Sequence, residues 1–137
     1  MNIVTIEMER LFQASTEKVW LALTDESQMA QWYFADTGFK PVVGHVSQFN
    51  VHHEGTDFLH LWKVIKVTPM KKISYEWSYE GFPGNSIVTF ILTEITSDKT
   101  NLLLKHEQLD TFLPLENPQL SAANFIDGWT NFLDHSL

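Results

Sequence analysis

The chain lacks cysteine and has few basic residues. Without cysteine it has no disulfide, no thiolate nucleophile and no sulfur-ligated metal, which is compatible with a reducing cytoplasm. Its 17 acidic residues outnumber the 9 basic ones and give a formal charge of -8. The resulting negative field repels a phosphate backbone, so we predict no nucleic-acid partner.

Long apolar runs and strongly basic stretches are also missing. No run approaches the ~20 apolar residues that are needed to span a bilayer. No basic cluster exceeds the pair Lys71-Lys72, which argues against an electrostatic membrane anchor. The N-terminus has no signal-peptide pattern. We therefore predict a cytoplasmic protein without a membrane partner.

Apolar and aromatic residues are abundant: 44% of the chain is hydrophobic, with ten Phe, five Trp and three Tyr. A chain of 137 residues has the common size of one domain and can bury one core. Neither a repeat nor a linker divides it. We predict a single domain over residues 1–137.

Period-two alternation predicts strands before and after a pair of short helices. Residues 3–12 alternate first, and the clearest pattern is Ile73, Tyr75, Trp77 and Tyr79. Between them, Ser15 or Thr16 and then Asp25 are typical N-caps, with Gln28 placed as in a capping box. The turn signals predict an antiparallel sheet of about seven strands, one before the helices and the others after, with Gly55 in a hairpin turn.

The C-terminal region has helical spacing instead. Apolar side chains stand at Phe125, Ile126, Trp129, Phe132 and Leu133, which indicates one broad stripe on a long terminal helix. Such a stripe needs a large apolar surface. The fold class predicted is α+β, with a curved antiparallel sheet wrapped around this helix.

Four stretches carry a resemblance to a known family. They are residues 14–25 with Met29-Ala30-Gln31-Trp32, residues 63–77, the pair 86–92 and 100–106, and residues 128–133. In order and spacing they resemble the domain of activators of the 90-kDa heat-shock chaperone's ATPase. That family lies in the START-like (SRPBCC) helix-grip superfamily, which also holds polyketide cyclases. The resemblance implies a helix-grip fold over nearly the whole chain.

In a helix grip, the aromatic side chains converge between sheet and helix. We predict a cavity for a small hydrophobic ligand, with a solid core as the alternative. His106 shares a face with Leu102 and Leu104, where an imidazole could orient a ligand. The predicted lining residues are Trp32, Phe49, Tyr75, Trp77, Phe90, His106, Phe125 and Trp129.

The resemblance leaves two further functions open: a protein-interaction module with a chaperone partner, and a cavity enzyme of cyclase or hydrolase type. We find no nucleophile-elbow motif, no phosphate-binding Gly-rich loop and no dinucleotide fingerprint, so we assign no catalytic residue and no cofactor. His52 and His60 could face each other across a hairpin, but without a third ligand we predict no metal site. An apolar stripe of Ile87, Ile91 and Ile95 on the outer sheet face favours a homodimer.

Overall fold

The computed structural model describes residues 5–32, 37–53, 55–81, 84–108, 126, 128–130 and 133. The elements, in chain order, are β1 (Thr5–Phe12), α1 (Thr16–Thr24), α2 (Glu26–Trp32), β2 (Val46–His53), β3 (Thr56–Thr68), β4 (Lys72–Tyr79), β5 (Ser86–Thr96) and β6 (Lys99–Glu107). Residues 126 and 128–130 are helical. We call these residues the C-terminal helix. Phe125 and Phe132 of the predicted long helix lie outside the described residues.

The strands form one antiparallel sheet in the order β1-β6-β5-β4-β3-β2. The described residues contain six strands, so the prediction of about seven is wrong. The segment just before β2 is a loop. Pro41 has no N–H to give a ladder, and Gly44 has a φ of 92° that a strand does not use. Among the described strands, β1 and β2 lie at the two edges of the sheet.

The two helices begin where the sequence predicts. The Ser15 hydroxyl accepts from the backbone N–H of Lys18 at 3.3 Å, and a carboxylate oxygen of Asp25 accepts from the N–H of Gln28 at 3.1 Å. Each bond satisfies a donor that the first helical turn leaves without an intrahelical partner. Gly55 has a φ of 81° in the β2–β3 hairpin, as expected for a tight turn.

One face of the sheet, here called the inner face, carries the core. Alternation places one set of side chains there, and cross-strand register aligns Trp62 with Trp77 and Phe90 with Leu104. The inner face is covered by the buried side of α1 and by three further buried residues: Phe39 of the loop before β2, and Trp129 and Leu133 of the C-terminal segment. The buried inner-face residues include Ile6, Ser47, Phe49, Phe58, His60, Trp62, Val64, Ile73, Tyr75, Trp77, Tyr79, Ser86, Val88, Phe90, Leu92, Leu102, Leu104 and His106.

Among the residues that the structure describes, no helix is both long enough and apolar enough to cross a membrane.

Candidate functional site

Aromatic rings form a continuous wall along the inner face, from β2 to the C-terminal helix. The Phe49 and Trp62 ring centroids lie 4.6 Å apart, those of Trp62 and Trp77 5.2 Å apart, and those of Trp77 and Trp129 5.9 Å apart. Such edge and tilted contacts are the arrangement that aromatic pairs prefer. The wall is therefore rigid and largely apolar.

The structure brings most of the predicted lining residues together on this wall. All those that it describes are buried, namely Trp32, Phe49, Tyr75, Trp77, Phe90, His106 and Trp129; Phe125 lies outside the described residues. Trp32 has a different setting from the others. Its indole Nε1–H donates to the carbonyl of Ala22 at 2.6 Å, so this side chain links α2 to α1.

Several wall residues were not in the predicted set. Trp62 is fully buried at the centre, within ring contact of Phe39 and Tyr75. The signal for it was present in the sequence, because Trp62 alternates in phase with two further buried residues, Phe58 and His60, along β3. Because β3 has large apolar residues on both of its faces, the sequence did not show which face was buried.

His106 stands at the middle of a buried hydrogen-bond chain. The indole Nε1–H of Trp129 donates to Nδ1 of His106 at 3.0 Å. Nε2 of His106 lies 2.7 Å from the Ser86 hydroxyl, and that hydroxyl donates to the Trp77 carbonyl at 2.8 Å. The chain thus joins the C-terminal helix to β6, β5 and β4, and both ring nitrogens of His106 have protein partners.

The partners fix the direction of every bond in this chain. An indole N–H can only donate, so Nδ1 of His106 accepts and Nε2 carries the proton of the neutral ring. Nε2–H then donates to the Ser86 hydroxyl. That hydroxyl donates in turn to the Trp77 carbonyl, which can only accept. Burial lowers the pKa of His106 from its ordinary value of 6.5 to about 3, which keeps the ring neutral.

This direction argues against a hydrolase built on Ser86. A serine nucleophile needs a histidine nitrogen that accepts its proton, whereas Nε2 of His106 donates to the Ser86 oxygen. The Ser86 and His106 side chains are both fully buried. The pair therefore links the helix to the sheet, and a ligand that His106 orients would have to replace one of these two hydrogen bonds.

The second buried imidazole, His60, lies at the opposite end of the wall. Its ring stacks on Phe49 at 4.8 Å and meets the edge of Tyr79 at 4.7 Å. Nδ1 lies 3.0 Å from the Phe58 carbonyl, so it carries the proton. Burial lowers the pKa of His60 to about 4, against the effect of that hydrogen bond, and burial raises the pKa of Tyr79. Both side chains are neutral at pH 7.

Ser47 adds a polar atom to this end of the wall. It stands on β2 opposite Trp62 and is 2% exposed. Its hydroxyl has no hydrogen-bond partner among the described residues. A buried hydroxyl in that condition costs about 1–3 kcal/mol.

The strand register separates the two histidines of the β2–β3 hairpin. His60 pairs with Phe49, and His52 pairs with Asp57, so the expected facing pair of His52 and His60 is wrong. The register places His60 opposite an inner-face residue of β2, three positions from His52. Within the described part of the chain, no three His, Cys, Asp or Glu residues come close enough to hold a metal ion.

The apolar stripe on the outer face is only partly exposed. Ile87 and Ile91 are half-buried, and Ile91 pairs with the half-buried Leu103 of β6. Ile95 is exposed. Ser74 and Thr89 hydrogen-bond beside it at 2.8 Å.

Comparisons with known proteins show which family the chain belongs to. A family model described as "Activator of Hsp90 ATPase homolog 1-like protein" matches residues 13–137, which include every element after β1. The chain belongs to this family. The AHSA1 assignment agrees with the α+β architecture of an antiparallel sheet packed against few helices. A search of curated protein sequences returned no match.

Solved structures similar to this AHSA1 chain come from diverse sources. Protein MLL2253 of Mesorhizobium loti is 30% identical, with a TM-score of 0.74 over 95% of this chain and 91% of that one. PFC0360w, an Hsp90 activator of Plasmodium falciparum, is 19% identical, with a TM-score of 0.68 over 96% and 91%. DynU16, a putative protein of the dynemicin biosynthetic locus, is 21% identical, with a TM-score of 0.72 over 96% and 45%. The last two likenesses concern the fold alone.

Proposed function

We propose that this AHSA1 chain acts as a single cytoplasmic domain that binds a small, mostly apolar molecule between the inner sheet face and the C-terminal helix. The observation that carries the proposal is the buried Ser47 hydroxyl, which has no hydrogen-bond partner among the residues that the structure describes. It lies on a rigid aromatic wall beside Phe49 and Trp62. Small-molecule sites combine such apolar walls with a few placed polar groups. The ligand would offer one hydrogen-bonding group to Ser47 and apolar surface to the rings.

The other polar groups of the wall support a ligand with no charge. His60 and Tyr79 are neutral at pH 7, and no described carboxylate or ammonium group is among the buried residues. An ionised ligand would lose its hydration there without gaining a counter-charge. We therefore expect a neutral molecule.

The first test is native mass spectrometry of the purified full chain, followed by organic extraction. We expect a co-purifying small molecule that denaturation releases. A neutral fluorescent probe, N-phenylnaphthylamine, gives the second measurement on extracted protein. Its binding is expected to quench the emission of the wall tryptophans.

Ser47→Leu separates an open site from a filled core. In an open site the larger side chain occupies the space, so probe binding is lost while the free energy of unfolding changes by less than ~1 kcal/mol. In a filled core, overpacking costs about 1–3 kcal/mol, and that outcome would contradict the proposal. Ser78→Leu is the matched control, because Ser78 is half-buried on the opposite face of β4.

A protein-interaction function is the second candidate, favoured by an exposed aliphatic cluster at the β2 edge. Val42, Val43, Val46 and Ile65 are 59%, 61%, 47% and 37% exposed. Exposed apolar groups that lie together are typical of protein contacts. If this surface binds a 90-kDa heat-shock chaperone, the chain stimulates that chaperone's ATPase and Val43→Asp abolishes the stimulation. Stimulation by a chain that carries no small molecule would reverse the order of the two proposals.

A cavity enzyme of cyclase or hydrolase type is the third candidate, and the direction of the Ser86–His106 bond weighs against its hydrolase form.

A homodimer through the outer stripe remains a separate proposal. Ile91 and Leu103 lie side by side on this face. Ile91→Lys would place a charge at the centre of the contact, so we expect the mass measured by light scattering to fall from dimer to monomer. A mass that does not change would rule out this contact.

A further inference from the structure

A cleft outside the aromatic wall carries an unusual share of the chain's positive charge. It has a volume of about 710 Å³ and lies between the first turn of α1, the β3–β4 turn and the middle of β5. Three of the nine basic residues line it, namely Lys66, Lys71 and Lys72. On a chain with a formal charge of -8, this is a local reversal of sign.

Among the carboxylates that the structure describes, none forms an ion pair with Lys66, Lys71 or Lys72. Lys105, by contrast, lies 3.8 Å from Glu7 on the outer face. Glu17 and Glu94 also line the cleft, so three positive charges stand there against two negative ones. A single negative charge on a ligand would balance the excess.

The framework that presents the lysines is rigid. Thr68-Pro69-Met70-Lys71 forms a tight turn in which the Lys71 N–H donates to the Thr68 carbonyl at 2.9 Å. The Leu92 N–H then donates to the Lys71 carbonyl at 2.7 Å, so β5 holds the turn. Met70 has a φ of 66°, which a residue with a side chain seldom adopts and which persists only where the surroundings enforce it.

The opposite side of the cleft is fixed as well. Thr16 at the start of α1 hydrogen-bonds the Thr100 hydroxyl at 3.2 Å, and Thr100 donates to the Ala14 carbonyl at 2.9 Å. These bonds attach the first turn of α1 to β6. The cleft is therefore a formed site whose two sides need no rearrangement to accept a ligand.

The lining defines the class of ligand. Met70, Ile91 and Leu92 provide apolar lining, and the three lysines provide positive charge. We propose that this cleft binds a small organic anion with an apolar body, in which a carboxylate or phosphate group meets the lysines. Its volume is in the range of small-molecule sites. Glu17 and Glu94 also line the cleft, and they select against ligands with several negative charges.

The test uses two probes that share an aromatic body. Anilinonaphthalene sulfonate is the anionic form and N-phenylnaphthylamine is its neutral counterpart. Lys71→Glu with Lys72→Glu is expected to weaken binding of the sulfonate about tenfold, which is ~1.4 kcal/mol, and to leave binding of the neutral probe unchanged. Binding of the sulfonate by the unaltered chain is expected to weaken as salt is added.

Lys63→Glu with Lys99→Glu is the matched control, because both residues are exposed outside the cleft and the change in net charge is the same. If both pairs weaken the sulfonate equally, the overall field acts and the site is overturned; if neither pair does, it is also overturned. Glu94→Gln is expected to strengthen binding of the sulfonate about twofold. When the unaltered chain is titrated with the sulfonate, the largest changes in backbone amide chemical shift should lie around Thr68 and Thr93. Because Ser47→Leu affects only the neutral probe, failure of this site is distinguishable from failure of the proposed function.

Discussion

The inner face has two halves that contain the same kinds of groups and use them differently. Toward β5 and β6, His106 and Ser86 lie in a hydrogen-bond chain that ends on Trp129. Toward β2 and β3, His60 and Ser47 stand among the same aromatic rings, but the Ser47 hydroxyl has no partner among the described residues. A buried polar group that is satisfied within the chain serves the fold. One that the described residues leave unsatisfied has a hydrogen bond still to make, and this difference supports the proposal of a ligand at Ser47.

The largest expected loss of stability comes from removing the Trp129 ring, which packs on the half of the inner face toward β5 and β6. Trp129 is 2% exposed and contacts Trp77, Phe90 and His106. Trp129→Ala is expected to lower the free energy of unfolding by about 3–5 kcal/mol, measured by urea denaturation. Trp129→Phe keeps most of the ring and should cost less. A loss below ~1 kcal/mol for the alanine variant would show that this ring is not part of a packed core.

A smaller effect is expected from breaking the hydrogen-bond chain. Ser86→Ala leaves the Nε2–H of His106 buried without its acceptor, and leaves the Trp77 carbonyl without its donor. We expect a loss of about 1–3 kcal/mol in the free energy of unfolding. Ser86→Cys, which retains a weak donor and acceptor, should restore part of it. An unchanged stability would mean that the bonds are not formed in solution.

The two imidazoles are expected to differ in acid. Both pKa values are lowered by burial from 6.5, to about 3 for His106 and to about 4 for His60. Below pH 6.5 the unfolded chain binds protons that the folded chain does not, so stability is lost as pH falls. Each histidine contributes a slope of ~1.4 kcal/mol per pH unit until its folded pKa is reached.

His106→Phe and His60→Phe separate these contributions. Denaturation curves of the two variants, measured every half unit of pH, should have equal slopes from pH 6 to pH 4. Below pH 4 only the variant that retains His106 continues to lose stability. Slopes identical to that of the unaltered chain would contradict the assignment of neutral buried rings.

The smallest expected effect is at Ser47 and completes the comparison. Because its hydroxyl has no partner within the described chain, Ser47→Ala removes an unpaired buried polar group, so it should not lower the free energy of unfolding of the ligand-free protein. The same change should weaken binding of a molecule that hydrogen-bonds there. A loss as large as that of Ser86→Ala would mean that the two halves of the inner face do not differ.

Much of the architecture could be predicted because alternation and caps are local. The period-two run from Ile73 to Tyr79 predicted β4, and Ser15 and Asp25 predicted both helix starts. The predicted number of about seven strands was too high, because the described residues contain six. Burial of the aromatic wall also followed from periodicity.

The chemistry of the site could not be predicted in the same way. That His106 accepts from Trp129 and donates to Ser86 depends on side chains that are 23 and 20 residues away from it in the chain. No local pattern encodes such distances. The lysine cleft is similar, because Lys66 and Lys71 meet the first turn of α1 only once the sheet has formed. The family resemblance predicted the fold, and the long-range contacts determine what the fold can bind.

The bond between Trp129 and His106 also provides a built-in reporter. An indole proton resonates apart from backbone amides, and one held by a buried imidazole exchanges with solvent only when that region opens. The exchange rate of this single proton therefore measures how often the C-terminal helix lifts from the sheet under native conditions. A ligand that enters beneath the helix would have to wait for the same event, so its rate of entry and the rate of proton exchange should change together.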